Sequence, residues 1–151
     1  MLSGYEYAIV VVVFLIYGAI RLLPRLIAGF AAYVSASQLK HDMDQDRPLV
    51  LLDVRSPREY AAQPGHIPGA INVPLARLKD RLADGGFLRD RRDHPVITIC
   101  QTDARAAFAV RILKHCEFTQ PRILSGGMNA WQQEGYPVVT AAKLPAVGDD
   151  P

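Results

Sequence analysis

The stretch PVITICQTDARAAFAVRILKHC, Pro95 to Cys116, constrains the fold of this chain more than any other. Val96 to Ile99 is a β-branched run of the length of a buried strand. Ala104 to His115 carries Ala, Leu and Ile at helical spacing. Lys114 and His115 close that run, where a helix dipole favours cations. Between the two lie Cys100, Gln101, Thr102 and Asp103. Strand, tight loop and helix in this order read as one unit of an α/β fold. The cysteine then stands at the carboxyl end of a strand, where such folds hold ligands. Unpaired N–H groups of the following helix favour anionic sulfur there, as thiolate or as persulfide. The competing reading of a lone cysteine is a small buried hydrophobe at a strand end.

Two further segments bear on that choice. LLDVRSPREYAAQPGHIPGAINVP runs from Leu51 to Pro74, and GGMNAWQQEGYPV from Gly126 to Val138. With CQTDARAA, they resemble, in order, three signatures of the rhodanese (sulfurtransferase) family, over about Val34 to Thr140. The resemblance implies a five-stranded parallel sheet flanked by helices. It makes Cys100 the nucleophile and Gln101, Thr102, Asp103, Ala104 and Arg105 the loop that cradles a persulfide. Asp53 and Arg55 become candidates for bracing the site. His66 takes a mainly structural role, and no metal or organic cofactor is implied. The related dual-specificity phosphatases and arsenate reductases place five residues between Cys and Arg. Here four separate Cys100 from Arg105, which suits one sulfur atom better than a phosphate. Gln63-Pro64 departs from the family as a two-residue extension before Gly65-His66. Asp103 stands where many members have Gly. Its charge opposes a dianionic donor such as thiosulfate, and its residue type tolerates a left-handed backbone if the loop requires one.

Size and charge limit the alternatives. The chain has 151 residues and a net charge of +2, so bulk charge does not point to nucleic acid. Two cysteines make no disulfide framework and fit a reducing compartment. A Cys100–Cys116 bridge is excluded by helix geometry. Cys116 lies roughly 18 Å along the helix at 1.5 Å per residue, whereas a disulfide needs Cα atoms within about 7 Å.

The head of the chain, MLSGYEYAIVVVVFLIYGAIRLLPRLIAGFAAY, is of another composition. Tyr7 to Ile20 is an uncharged run of 14 residues. Extended to Leu23 with Arg21 snorkelling, it is long enough for a thin bilayer. The expectation is one N-terminal transmembrane helix in residues 1–33, with Pro24 opening a juxtamembrane segment. A cleaved signal peptide is the main rival, but it needs basic residues before the apolar run, and none precedes it. Arg21, Arg25 and Lys40 follow it, so the positive-inside bias puts the domain on the cytoplasmic side of the cell's inner (plasma) membrane, in a single pass. Residues 34–140 form the domain, and 141–151 a tail with little to bury.

Local signals divide the domain further. Val34-Ser35 reads as a first strand and Ser37 as the N-cap of a helix over Gln38 to Met43. Leu49 to Leu52 and Arg122 to Leu124 read as strands, and Ala70 to Asn72 as an edge strand. Ser56-Pro57 opens a short helix, and Arg55 and Glu59 are spaced to pair, either as a solvated surface pair or as a brace for the site. Leu75 to Ala83 puts Leu75, Leu78 and Leu82 on one face. Trp131 belongs to the core and Gly135 stops the last helix.

The function expected from all this is membrane-tethered sulfur transfer. A sulfane-sulfur donor loads Cys100, and a thiol or other nucleophile removes the sulfur. The alternative is a non-catalytic rhodanese-like docking subunit of a membrane protein complex.

Overall fold

In a computed structural model, residues 4–28 and 32–140 are described. The sheet is built from β1 (Ala32–Val34), β2 (Val50–Asp53), β3 (Ile71–Asn72), β4 (Pro95–Ile99) and β5 (Gln120–Leu124). Their spatial order is β1-β5-β4-β2-β3, and every neighbouring pair is parallel. The β-branched run read from sequence is therefore the central strand, hydrogen-bonded on both edges.

Among the described residues six α-helices accompany the strands: α1 (Gly4–Ala28), α2 (Ala36–Asp44), α3 (Pro57–Ala61), α4 (Leu75–Ala83), α5 (Ala104–His115) and α6 (Gly127–Gln133). Side chains alternate across a strand, so successive apolar residues feed two cores. Leu52, Val96 and Ile123 meet Leu78 of α4 and Val110 and Leu113 of α5 on one face. Leu51, Ile97 and Leu124 meet Leu39 of α2 and Met128 and Trp131 of α6 on the other. Ala106, Ala107 and Ala109 give α5 a small buried face, which lets the helix close on the central strand. Trp131 is fully buried, and its indole N–H donates to the Pro137 carbonyl at 2.8 Å.

Several boundaries differ from the sequence reading. The first strand lies two residues earlier, at Ala32–Val34, because it pairs in register with Arg122 to Leu124. Ser35, not Ser37, caps α2; its hydroxyl accepts from the Gln38 amide at 3.1 Å while Ser37 turns its own hydroxyl to Ser35. Ser56 caps α3 as expected, in a reciprocal capping box with Glu59. Residues 141–151, read as a tail, lie outside the described residues.

The transmembrane expectation is not met. α1 is one 25-residue helix that continues through Pro24 and packs against α5. Among the described residues no helix is long and apolar enough to cross a membrane. The physical reason is the length of the uncharged run. Fourteen residues rise about 21 Å, short of a hydrocarbon core of about 30 Å.

Candidate active site

Cys100 directly follows the central strand and precedes the loop into α5. Its side chain is 1% exposed. The Ala106 amide, inside the first turn of α5, donates to Sγ at 3.4 Å. Burial pushes the Cys100 thiol above its ordinary value, against the opposing pull of the Ala106, Thr102 and Arg105 amides and the Arg105 charge. The helix N-terminus was expected to favour a thiolate. Desolvation outweighs it here, because ionising a side chain cut off from water costs more than a few amide dipoles return.

The loop is held from outside. The Met128 and Asn129 amides, at the start of α6, donate to the carbonyls of Cys100 and Gln101 at 2.8 and 3.1 Å. The Gln101 side-chain amide donates to Asn129 Oδ1. Such an approach needs a residue without a side chain, and Gly127 supplies it. At φ +56°, any Cβ there would collide with the carbonyl oxygens of Cys100 and Thr102. The GGMNAW segment is thus a backbone clamp on the Cys100 loop as well as a turn.

Arg105 turns to Glu59. Its two terminal nitrogens donate to the two Glu59 carboxylate oxygens at 2.8 and 2.7 Å. The Ser56 amide and hydroxyl also donate to Glu59, at 2.9 and 2.7 Å. The Arg105 guanidinium, followed by the Ser56 donors, holds the Glu59 carboxyl far below the usual carboxylate range. The Arg55–Glu59 pair expected from spacing does not form. Arg55 instead binds Asp53 through Nε and one terminal nitrogen, the latter at 2.7 Å, and donates to the Gly65 carbonyl at 3.0 Å. Both side chains are buried. Asn72 donates to the backbone carbonyls of Asp53 and Arg55. Asp53 and Arg55 therefore form a strut that fixes the carboxyl end of β2 and the start of α3. The Asp53 carboxylate also stabilises the Arg105 cation of the loop by charge.

His66 is buried, stacks on Tyr60 with ring centroids 3.5 Å apart, and shares a backbone bridge with Val139. All of these contacts are structural. Asp103 precedes α5 at φ −141°, outside the left-handed region, and makes no side-chain cap bond. It lines a cavity of about 380 Å³ between the loop and α6, with Thr102, Ala104, Gly126, Asn129 and Gln133. Asp103 is the one ionisable group among those residues. Cys116 is a half-buried free thiol at the end of α5.

Sequence reasoning named Glu59 with the wrong partner, read Gly127 only as part of a turn, and missed Asn129. The spacing Ser56-x-x-Glu59 placed Glu59 in the first turn of α3, but nothing local to it names Arg105.

A strand-ending cysteine in a loop clamped between two helix N-termini is matched by the rhodanese-like domain profile over residues 35–134. The chain belongs to the rhodanese-like domain family. Its relatives differ in what they are known for. It is 36% identical over 96 residues to thiosulfate sulfurtransferase 16 of Arabidopsis thaliana, covering 57% of this chain and 76% of that protein. It is 42% identical over 98 residues to the HTH-type transcriptional regulator Rv0324 of Mycobacterium tuberculosis, covering 64% of this chain but only 40% of the regulator. The human single-domain sulfurtransferase TSTD1 superposes with a TM-score of 0.61 at 27% identity, over 69% of this chain and 97% of that one. The rhodanese-like domain here thus has sulfurtransferase relatives at modest identity and also a regulatory one.

Proposed function

We propose that this rhodanese-like domain is a sulfurtransferase that carries sulfane sulfur as a persulfide on Cys100. The observation that carries the reading is the position of Cys100, with the Ala106 amide donating to its Sγ. In the first half-reaction the Cys100 thiolate attacks the outer sulfur of a donor R–S–SH. The donor S–S bond breaks, R–S⁻ leaves, and Cys100–S–SH forms with no net oxidation. In the second, an acceptor thiolate takes the outer sulfur and returns Cys100 to the thiolate. The outer sulfur stands about 2 Å beyond Sγ, nearer the loop amides that stabilise it as an anion. Incubation with a sulfane donor should add one sulfur, about 32 Da, to Cys100 and none to Cys116. Transfer that survives Cys100→Ser refutes the assignment.

The near-complete burial of Cys100 favours a second reading, a docking module without turnover. The same mass measurement separates the two, since a docking module stays unmodified.

We also infer that α1 attaches the domain to a membrane, on the cytoplasmic side. Ile9 to Tyr17 are apolar all round the helix and stand open, from 41% exposed at Val11 to 72% at Phe14. A helix apolar on every side needs a non-aqueous neighbour. Arg21, Arg25 and Lys40 follow it, and basic residues beside an apolar helix are drawn to the anionic cytoplasmic leaflet. Release of the full chain by carbonate extraction would overturn this attachment.

A further inference from the structure

A groove of about 520 Å³ lies between α4 and α5, away from the catalytic loop. Leu75, Phe108 and Ile112 give it an apolar lining, Lys79 and Arg111 give it positive charge, and His115 stands beside them. No carboxylate is among its described lining residues. Phe108, Arg111, Ile112 and His115 follow the i, i+3, i+4, i+7 spacing, so they form one stripe along α5. Phe108 is 46% exposed, a large apolar side chain that the domain leaves uncovered. Lys79, Arg111 and His115 are exposed as well.

The stripe has a neighbour of the same character. α1, with its open Ile9 to Tyr17, packs against this same helix α5. α1 and the groove thus share the helix α5. Cations around an apolar floor match a lipid surface in depth. Lys79 and Arg111 meet phosphates at the headgroup level, and Phe108 reaches the acyl boundary.

We propose that the α4–α5 groove is a membrane-docking face that recognises anionic phospholipid and seats the domain on the bilayer next to α1. This rests on the attachment of α1 to a membrane. Cys100 precedes the N-terminal end of α5, while the stripe runs toward its C-terminal end, so docking leaves the catalytic loop open to water. The two attachments differ in kind: the uncharged Ile9 to Tyr17 stretch of α1 supplies apolar contact without lipid preference, and the groove supplies preference for charge.

Flotation of the full chain with vesicles tests this. One set is phosphatidylcholine alone, and the other is phosphatidylcholine with one third phosphatidylglycerol. The anionic vesicles should bind on the order of tenfold more tightly, and the gain should fade with salt. Lys79→Glu with Arg111→Glu should remove the gain and leave binding to neutral vesicles unchanged. These two side chains are exposed, and a thermal melt confirms that the double variant folds. As a second measurement, a fluorophore on Cys116 in a Cys100→Ser chain should be quenched by brominated phosphatidylglycerol. Equal binding to the two vesicle sets, or a gain that survives the double variant, overturns the docking face while α1 attachment stands. A chain that floats with neither set overturns both, and capture of an acidic amphipathic peptide in place of lipid overturns the choice of ligand. Sulfur loading of Cys100 is measured independently of all these outcomes.

Discussion

Glu59 and Arg105, 46 positions apart, face each other as a bidentate ion pair beside the Cys100 loop, with both oxygen–nitrogen distances below 3 Å. The loop's own cation is therefore already neutralised. A donor that relies on positive charge, such as thiosulfate, finds Arg105 engaged and Asp103 in the neighbouring cavity wall. Glu59→Gln should release Arg105 toward the sulfur and lower the thiosulfate KM by about fivefold at low ionic strength, with less effect in high salt. An unchanged KM at low salt would remove Glu59 from any account of donor choice.

The same substitution has a stability signature. The Glu59 carboxyl is held well below its ordinary 4.5 in the folded state. A depressed carboxylate contributes stability that is present above the unfolded value and is lost as pH falls through the folded one. Both side chains are more than a third exposed, so the contribution is about 1 kcal/mol or less. Denaturation midpoints of wild type and Glu59→Gln should differ at neutral pH and converge below the ordinary carboxylate range. A constant gap across that range contradicts the pairing.

Asp103 should act on a donor at the Cys100 loop by charge alone. Its φ of −141° asks nothing special of the residue type, and no cap bond depends on its side chain. Asp103→Asn should fold as wild type and raise thiosulfate kcat/KM several-fold at low salt, while leaving a neutral persulfide donor unaffected. Identical thiosulfate kinetics at every salt concentration would show that the carboxylate does not reach the donor.

The sequence disclosed the frame of this site but not its bracing. Apolar runs announced the strands because a parallel sheet buries both faces of each strand, and Cys100 stood at the end of the most evident one. Local pairing was a poor guide to charge. Arg55 and Glu59 have helical spacing, yet Arg55 lies in the bend between β2 and α3 and folds back on Asp53, which leaves Glu59 for an arginine on another element. Asp53 and Arg55 were read as site support; what they form is a buried pair with each other at the start of α3. The apolar head gave the reverse lesson: its composition is plain, but a span is decided by length between charges.

Cys100 is a buried thiol whose ionisation is pushed above its ordinary value, chiefly by burial. The loading rate should therefore climb with pH throughout the neutral range, by about tenfold per unit, with no plateau there. Single-turnover loading by thiosulfate suits the measurement, since that donor remains a dianion throughout. A plateau below about pH 8 would mean that the loop amides overcome burial and that Sγ is already ionised at rest.

Gly127 separates strain from collision. Gly127 and Gly135 both occupy the left-handed region, at φ +56° and +70°. A side chain at Gly135 meets open space, whereas one at Gly127 meets the backbone carbonyls of the Cys100 loop. Gly135→Ala then bears only the left-handed penalty of about 1–2 kcal/mol, and its sulfur transfer should match wild type. Gly127→Ala bears the same penalty and must also move either α6 or the loop. Moving α6 breaks the Met128 and Asn129 amide bonds to the Cys100 and Gln101 carbonyls, and moving the loop displaces Sγ from the Ala106 amide. A displacement of about 1 Å at a reacting atom is enough for a loss of about a hundredfold. Persulfide formation on Cys100 in Gly127→Ala should fall by that factor in protein that still melts cooperatively. Equal activity in the two alanine variants would show that α6 does not clamp the loop.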